Sequence, residues 1–241
     1  MHDEYDQITA YHYAAYRPAL HESILRKTLG NQRWIRGLDI GCGTGHSALA
    51  LTQFCESVMA VDPSKAMLAQ SIPHPQVGYQ YFDGCRLAFP DGYFELITFA
   101  GSWYYAQSQG LLDEVLRVGK GQTRIVLYDF DIQLGSIIDG LLPKGYAKSS
   151  CGYDHQADFD GFIQSQLRVT QTKQSQLSLT IAHPGMAHLL LSVKDTYAAL
   201  AAAYGQVDLH QKITQQLGQQ SSKILNHVKA NTYAKIYRNE Q

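Results

Sequence analysis

The chain has 241 residues, of which 45% are hydrophobic and 17% charged, an ordinary composition for one globular domain long enough to bury a core without disulfide or metal staples. Its formal net charge of −1 comes without a basic block, which removes the electrostatic ground for nucleic acid or an anionic membrane surface as the main partner. No apolar run reaches the length that spans a bilayer.

In chain order, the first thirty residues read as helical. Pro18 opens a second helix with Leu20, Ile24, Leu25 and Leu29 as its apolar stripe, and Gly30 ends it. Strand and helix signals then alternate. Trp34 to Ile40 is a strand, Ser47 to Phe54 a helix, Ser57 to Val61 a strand ending at Asp62, and Ser64 to Gln70 a helix. Val77 to Phe82 is a third strand, and Pro90-Asp91-Gly92 a turn. Phe94 to Ala100 is apolar at nearly every position, as a strand covered on both faces would be. A helix over Leu111 to Val118 and a strand over Thr123 to Tyr128 follow. This alternation predicts a parallel sheet with right-handed crossovers.

Beyond Asp129 the pattern is mixed, with helical stretches expected near Ile132–Leu142 and Phe159–Leu167. Ser175 to Ile181 alternates as a strand, Pro184 to Tyr204 and Val207 to Leu217 read as helices, and Leu225 to Tyr237 closes the chain as a strand. The expected architecture is α/β: a Rossmann-like, seven-stranded, mostly parallel sheet with helices on both faces and a helical lid. It is read as a single domain over 1–241. Within it, 1–30 form a cap, 31–130 a cofactor-binding core, and 131–241 complete the sheet with the lid around 184–217.

The segment Gly37-Leu38-Asp39-Ile40-Gly41-Cys42-Gly43-Thr44-Gly45 runs from a strand through closely spaced glycines into a helix. Glycine there permits positive φ and lets a ligand approach the backbone, while the helix start offers free N–H groups. The dinucleotide fingerprint G-x-G-x-x-G would need glycine at position 46, where this chain has His46. Asp62, at the end of the next strand, suits a ribose diol in either cofactor class, and is equally an ordinary helix N-cap.

Leu38 to Gly45 resembles the first motif of the class I S-adenosylmethionine-dependent methyltransferases, L-D-I-G-C-G-T-G, and does so along its length. Asp62-Pro63-Ser64-Lys65-Ala66-Met67-Leu68 is similar to that family's V-D-x-S-x-x-M-L pattern once Val61 is included. Asp83-Gly84 through Glu95 resembles its D-G-x-x-L-P-F-x-D-x-x-F-D stretch, with Glu95 where aspartate is usual. Tyr11 to Pro18 resembles its Y-x-x-x-R-P segment, with Tyr16 and Arg17 at the matching positions.

The resemblance implies methyl transfer from S-adenosylmethionine to a small molecule, with S-adenosylhomocysteine as product. It implies that Gly41, Cys42, Gly43 and Gly45, with Asp39, hold the amino-acid end of the donor through backbone amides. Asp62, Pro63 and Met67 would hold the ribose and adenine, with Asp83 and Gly84 at the adenine amino group. Ala100 and Gly101 would lie beneath the methionine portion, and Tyr16 and Arg17 would close over it. Tyr11, Tyr13 and Trp103 are the expected acceptor-pocket walls, with Tyr104 or Tyr105 as core. The lid helices and the N-terminal segment are expected over the acceptor site.

No general base is read from the sequence. His155, His183, His188 and His210 lie in the second half without metal-ligand spacing, and no metal is expected. Asp129 can face the pocket or cap a turn. The acceptor atom and the oligomeric state are not legible. Cys42, Cys55, Cys85 and Cys151 show no C-x-x-C pair and read as reduced, mostly buried thiols. With the acidic start Met1–Asp6 they give a cytoplasmic expectation. A non-catalytic donor-binding protein and a nicotinamide-dependent oxidoreductase are the alternative readings.

Overall fold

A computed structural model describes residues 7–143, 152–163, 165–219 and 227–240. The expectations for Met1–Asp6, for Cys151, for Gln220 and for the first residues of the closing strand lie outside them.

Helices α1 (Gln7–Ala15) and α2 (Leu20–Leu29) precede strand β1 (Trp34–Ile40). There follow α3 (His46–Leu51), β2 (Cys55–Asp62), α4 (Lys65–Leu68), β3 (Val77–Tyr81) and β4 (Phe94–Ala100). Next come α5 (Trp103–Ala106), α6 (Gln109–Val118), β5 (Gly119–Ile132) and α7 (Gly135–Leu141). The chain closes with β6 (Leu167–Thr180), α8 (His183–Leu191), α9 (Lys194–Tyr204), α10 (Leu209–Gln219) and β7 (His227–Asn239).

The sheet has seven strands in the order β3-β2-β1-β4-β5-β7-β6. The pairs β2–β3, β1–β2, β1–β4 and β4–β5 are parallel, and β7 runs antiparallel to both β5 and β6. The mostly parallel Rossmann-like sheet expected from the alternation is thus present. Strand order reverses at β1, so the bend after β1 opens where an α/β sheet offers a crevice.

Alternation along the central strands sends their side chains to two cores. Leu38, Ile40, Ile97, Phe99, Ile125 and Leu127 pack with α6 on one face. Val58, Ala60, Leu96, Val126 and Tyr128 pack with α2 and α3 on the other. A third cluster joins α7, α8, α9 and α10 beyond the strand ends. Among the described residues no helix is long and apolar enough to cross a membrane.

Three local expectations need correction. Residues 159–163 form turns instead of a helix. Phe159 is sunk in the core, and Asp158 Oδ1 accepts the Asp160 N–H at 2.8 Å, a side-chain turn that competes with helix. The expected helix from Pro184 to Tyr204 is two helices, broken where the Ser192 hydroxyl donates to the Leu189 carbonyl at 2.7 Å. Strand β6 begins at Leu167, well before the expected Ser175; the residues ahead of Leu177 are mostly exposed and lack the apolar alternation that marks the strand from Ser175 on.

Candidate active site

Gly41, Gly43 and Gly45 take φ of 73°, 55° and 94°, values that only glycine adopts freely. A Cβ on Gly41 would lie 2.3 Å from that of Ser102, and one on Gly45 would lie 2.1 Å from the Tyr79 hydroxyl. Gly43 faces Met67 Cε at 3.4 Å and the Tyr13 ring at 4.0 Å from the same hypothetical atom.

The expectation that the bend's amides wait for a ligand is corrected. The N–H groups of Gly41 and Cys42 donate to the Val61 carbonyl at 2.8 and 3.1 Å, and that of Gly45 donates to the Cys42 carbonyl at 2.9 Å. The Gly43 N–H donates to Asp62 Oδ2 at 2.8 Å. The Cys42 side chain turns into the core, where burial pushes its thiol pKa up. The glycines therefore shape the bend by their bareness rather than by free donors.

Asp62 joins the two motifs. Its Oδ1 also accepts the Ser64 N–H at 2.8 Å, and Ser64 Oγ accepts the Met67 N–H at 3.3 Å to cap α4. Both Asp62 oxygens thus accept backbone N–H groups, which fixes the carboxylate between the bend and α4. Pro63 is half-buried beside it and Met67 is buried.

Asp39 sits elsewhere. It is 0% exposed, and its oxygens accept hydrogen bonds from Ser47 Oγ at 2.5 Å and Thr98 Oγ1 at 2.8 Å. Burial outweighs these donors and raises its pKa to about 6. Strand alternation explains the placement: Asp39 points with Thr98 toward α3, so it braces the helix after the bend from below.

The cap divides its residues. The Arg17 guanidinium lies 3.5 Å over the Tyr13 ring, and its Nε is buried without a hydrogen-bond partner. Tyr16 instead packs on α8, where a Cβ on Gly185 would meet its ring at 2.8 Å. Tyr11 is exposed and turns its edge to His12 and His188. Asp83 is exposed and its Oδ1 accepts the Cys85 N–H at 2.9 Å, with Gly84 at φ 89°. It borders a cavity of about 140 Å³ shared with Val61, Phe82 and Arg86.

At the carboxyl ends of β4 and β5 lies a larger cavity of about 210 Å³. Gly101 forms its edge at φ 72°, where a Cβ would lie 2.9 Å from Asp129 Oδ1 and 3.2 Å from the Tyr153 hydroxyl. Neither Tyr11 nor Tyr13 lines it. Trp103 reaches its base but is 2% exposed, bonded through Nε1 to the Asp158 carbonyl at 2.6 Å and packed edge-on against Phe159. Tyr104 is a wall of the cavity, while Tyr105, expected as core, is 47% exposed. None of the lining residues comes from α8, α9 or α10; the stretch from Tyr153 to Asp158 covers the cavity where those helices were expected.

This cavity also brings Asp129, which the sequence reading allowed to face the pocket, together with His155 and Tyr153, to which it gave no role. Asp129 Oδ2 lies 2.7 Å from His155 Nδ1 and 2.9 Å from the Tyr153 hydroxyl, which is also 2.7 Å from the Gly101 carbonyl. Burial opposes a charge on His155, but the Asp129 bond and the nearby Asp131 and Asp154 carboxylates outweigh it and raise its pKa. Asp129 at a strand end was the available signal. Its partner lies 26 residues away, beyond any local pattern.

A family described as "Methyltransferase domain" matches residues 38–127. The uncharacterized methyltransferase YcgJ of Bacillus subtilis (strain 168) is 34% identical over 101 residues, 39% of this chain and 40% of YcgJ; the match thus spans less than half of that relative. The YcgJ structure superposes with a TM-score of 0.50 at 17% identity, covering 93% of this chain and 100% of that one. A protein assigned as a type II methyltransferase from Anaeromyxobacter dehalogenans gives a TM-score of 0.59 at 17% identity, over 93% of this chain and 96% of that one. Residues 38–127 thus match the methyltransferase-domain family, and the sheet in which they sit has the Rossmann-like fold of these methyltransferase structures.

Proposed function

We propose that this protein transfers the methyl group of S-adenosylmethionine to a small-molecule acceptor. The observation that carries the reading is a side-chain-free bend flanked by a carboxylate and a guanidinium. Asp62 braces Gly43 from one side, and Arg17, stacked on Tyr13, has a buried Nε without a partner among the described residues.

The residues fit the donor on these grounds. A carboxylate is the natural partner of a guanidinium N–H that has none. A carboxylate accepts hydrogen bonds from hydroxyls, which suits Asp62 to the ribose, and Met67 and Tyr13 form apolar walls at Gly43. When bound, S-adenosylmethionine supplies a methyl carbon already activated by a sulfonium, so transfer is an in-line displacement. The chain's task is then to hold and orient, which can contribute about 7–11 kcal/mol.

Titration calorimetry with S-adenosylhomocysteine tests the reading. Asp62→Ala should weaken binding about tenfold or more, the loss of a hydrogen bond to a charged acceptor, with unchanged circular dichroism. Wild-type protein that binds NADH and not S-adenosylhomocysteine would remove it.

A further inference from the structure

His155 lines a cavity that neighbours the bend through two adjoining residues: Gly41 abuts Ser102, and the next residue back, Gly101, abuts Asp129 and Tyr153. A carboxylate partner only accepts, so His155 Nδ1 carries the hydrogen in their 2.7 Å contact. That assignment leaves Nε2 of the neutral ring as an acceptor. Among the described residues Nε2 has no hydrogen-bond partner. Phe130 N–H donates to Asp129 Oδ1 at 2.7 Å and Tyr153 flanks Oδ2, so the carboxylate that orients the ring is itself fixed.

The chemistry of the walls selects among acceptors. Tyr104, Tyr153 and Tyr233 supply aromatic surface. Two lysines line it: Lys235 is paired with Asp158 and lies 3.6 Å from Asp160, and the Lys173 ammonium donates to the Lys27 carbonyl. A carboxylate acceptor would meet Asp129 and Asp154 with both of these lysines already engaged. A cavity of about 210 Å³ is of the size that holds a single aromatic ring, since one of about 150 Å³ binds benzene.

We propose that this cavity binds a one-ring phenol and that His155 is the base that takes its hydroxyl proton, with Asp129 as the residue that positions His155. The inference rests on the methyl-transfer reading above. In the step, the phenol O–H proton passes to His155 Nε2 as an oxygen lone pair forms the new O–CH3 bond. The S–CH3 bond breaks with its electron pair kept by sulfur. The imidazolium later returns the proton to solvent.

The probe is 4-nitrophenol, whose anion absorbs in the visible. With S-adenosylhomocysteine present, wild-type protein should bind it at millimolar concentration and give the phenolate band at a pH where the free probe is mostly protonated. His155→Gln should lose most of that band while retaining S-adenosylhomocysteine affinity. Asp129→Asn should lower the His155 pKa followed by imidazole NMR. Absence of binding to the wild type, or a phenolate band that persists in His155→Gln, overturns the proposal. So does preferential binding of benzoate. Intact S-adenosylhomocysteine binding beside any of these leaves the methyl-transfer reading standing, and its loss in the wild type removes both.

Discussion

Asp39 shows how much one side chain can hold in place from beneath a site. Its carboxylate is buried with two hydroxyl donors, one of them from the helix that follows the glycine bend. Removing a donor leaves a buried charge less satisfied, a cost of roughly 1.5–3 kcal/mol for a bond to a charged group. Ser47→Ala should therefore lower the unfolding free energy by about that amount and loosen the bend. Urea unfolding at neutral pH measures it, and a change within about 0.5 kcal/mol, the scatter of surface substitutions, would deny Asp39 this role. Residue types were legible here, and directions were not. The sequence marks Asp39 as the acid of a known motif, whereas the alternation of β1 against Thr98 decides that it faces α3. The same holds for Tyr16, which belongs to the cap motif yet packs on Gly185.

Elements were legible wherever apolar periodicity set them. Strands β1, β2 and β4 fall close to the expected ranges because runs of their apolar residues are buried, and β3, which is only half-buried, does so too. Strand β6 does not, since Arg168 to Gln176 is polar on both faces and carries no period-two signal. Its pairing with β7 makes it a strand. The helices are set by both stripe and cap. Ser108 Oγ accepts the Leu111 N–H at 3.2 Å at the start of α6, whose Leu111, Leu112, Val115 and Leu116 enter the core. Ser108→Ala should cost about 1 kcal/mol, seen as a lower urea midpoint at unchanged slope. A neutral result would mean that packing alone fixes where α6 begins. The Asp129–His155 contact joins β5 to a stretch with no regular structure. That is why the candidate base was not legible, although the donor-side motifs were.

Across the molecule, three buried histidines oppose acid. His12, held between α1 and the lid by His188 Nδ1 at 2.9 Å, has its pKa lowered to about 4 by burial and then by His188 and His210. Burial, followed by nearby charges, lowers His21 to about 3 and His46 to about 4. Their folded pKa values lie below the unfolded value of about 6.5. Each contribution is therefore complete above that pH and is lost as pH falls toward 4. Asp39 works the other way, favouring the folded state as acid protonates it between the ordinary carboxylate value of about 3.9 and about 6. These three histidines, and His188, whose pKa burial and His210 also lower, outnumber that one carboxylate and give a falling melting temperature from pH 6.5 to 4. Differential scanning calorimetry checks it, with His12→Gln, which removes one of them, expected to flatten the slope. A melting temperature that holds steady or rises over that range would show that the histidines do not govern acid stability.

The outer position of β6 carries one last consequence. An edge strand offers unpaired backbone groups to any other edge it meets. Here that rim presents Arg168 and a run of glutamines and threonines to water. Two molecules meeting rim to rim would gain little apolar contact and would set like charges against each other. The polarity that hides this strand from a sequence reader is thus what guards the open end of the sheet against sideways stacking.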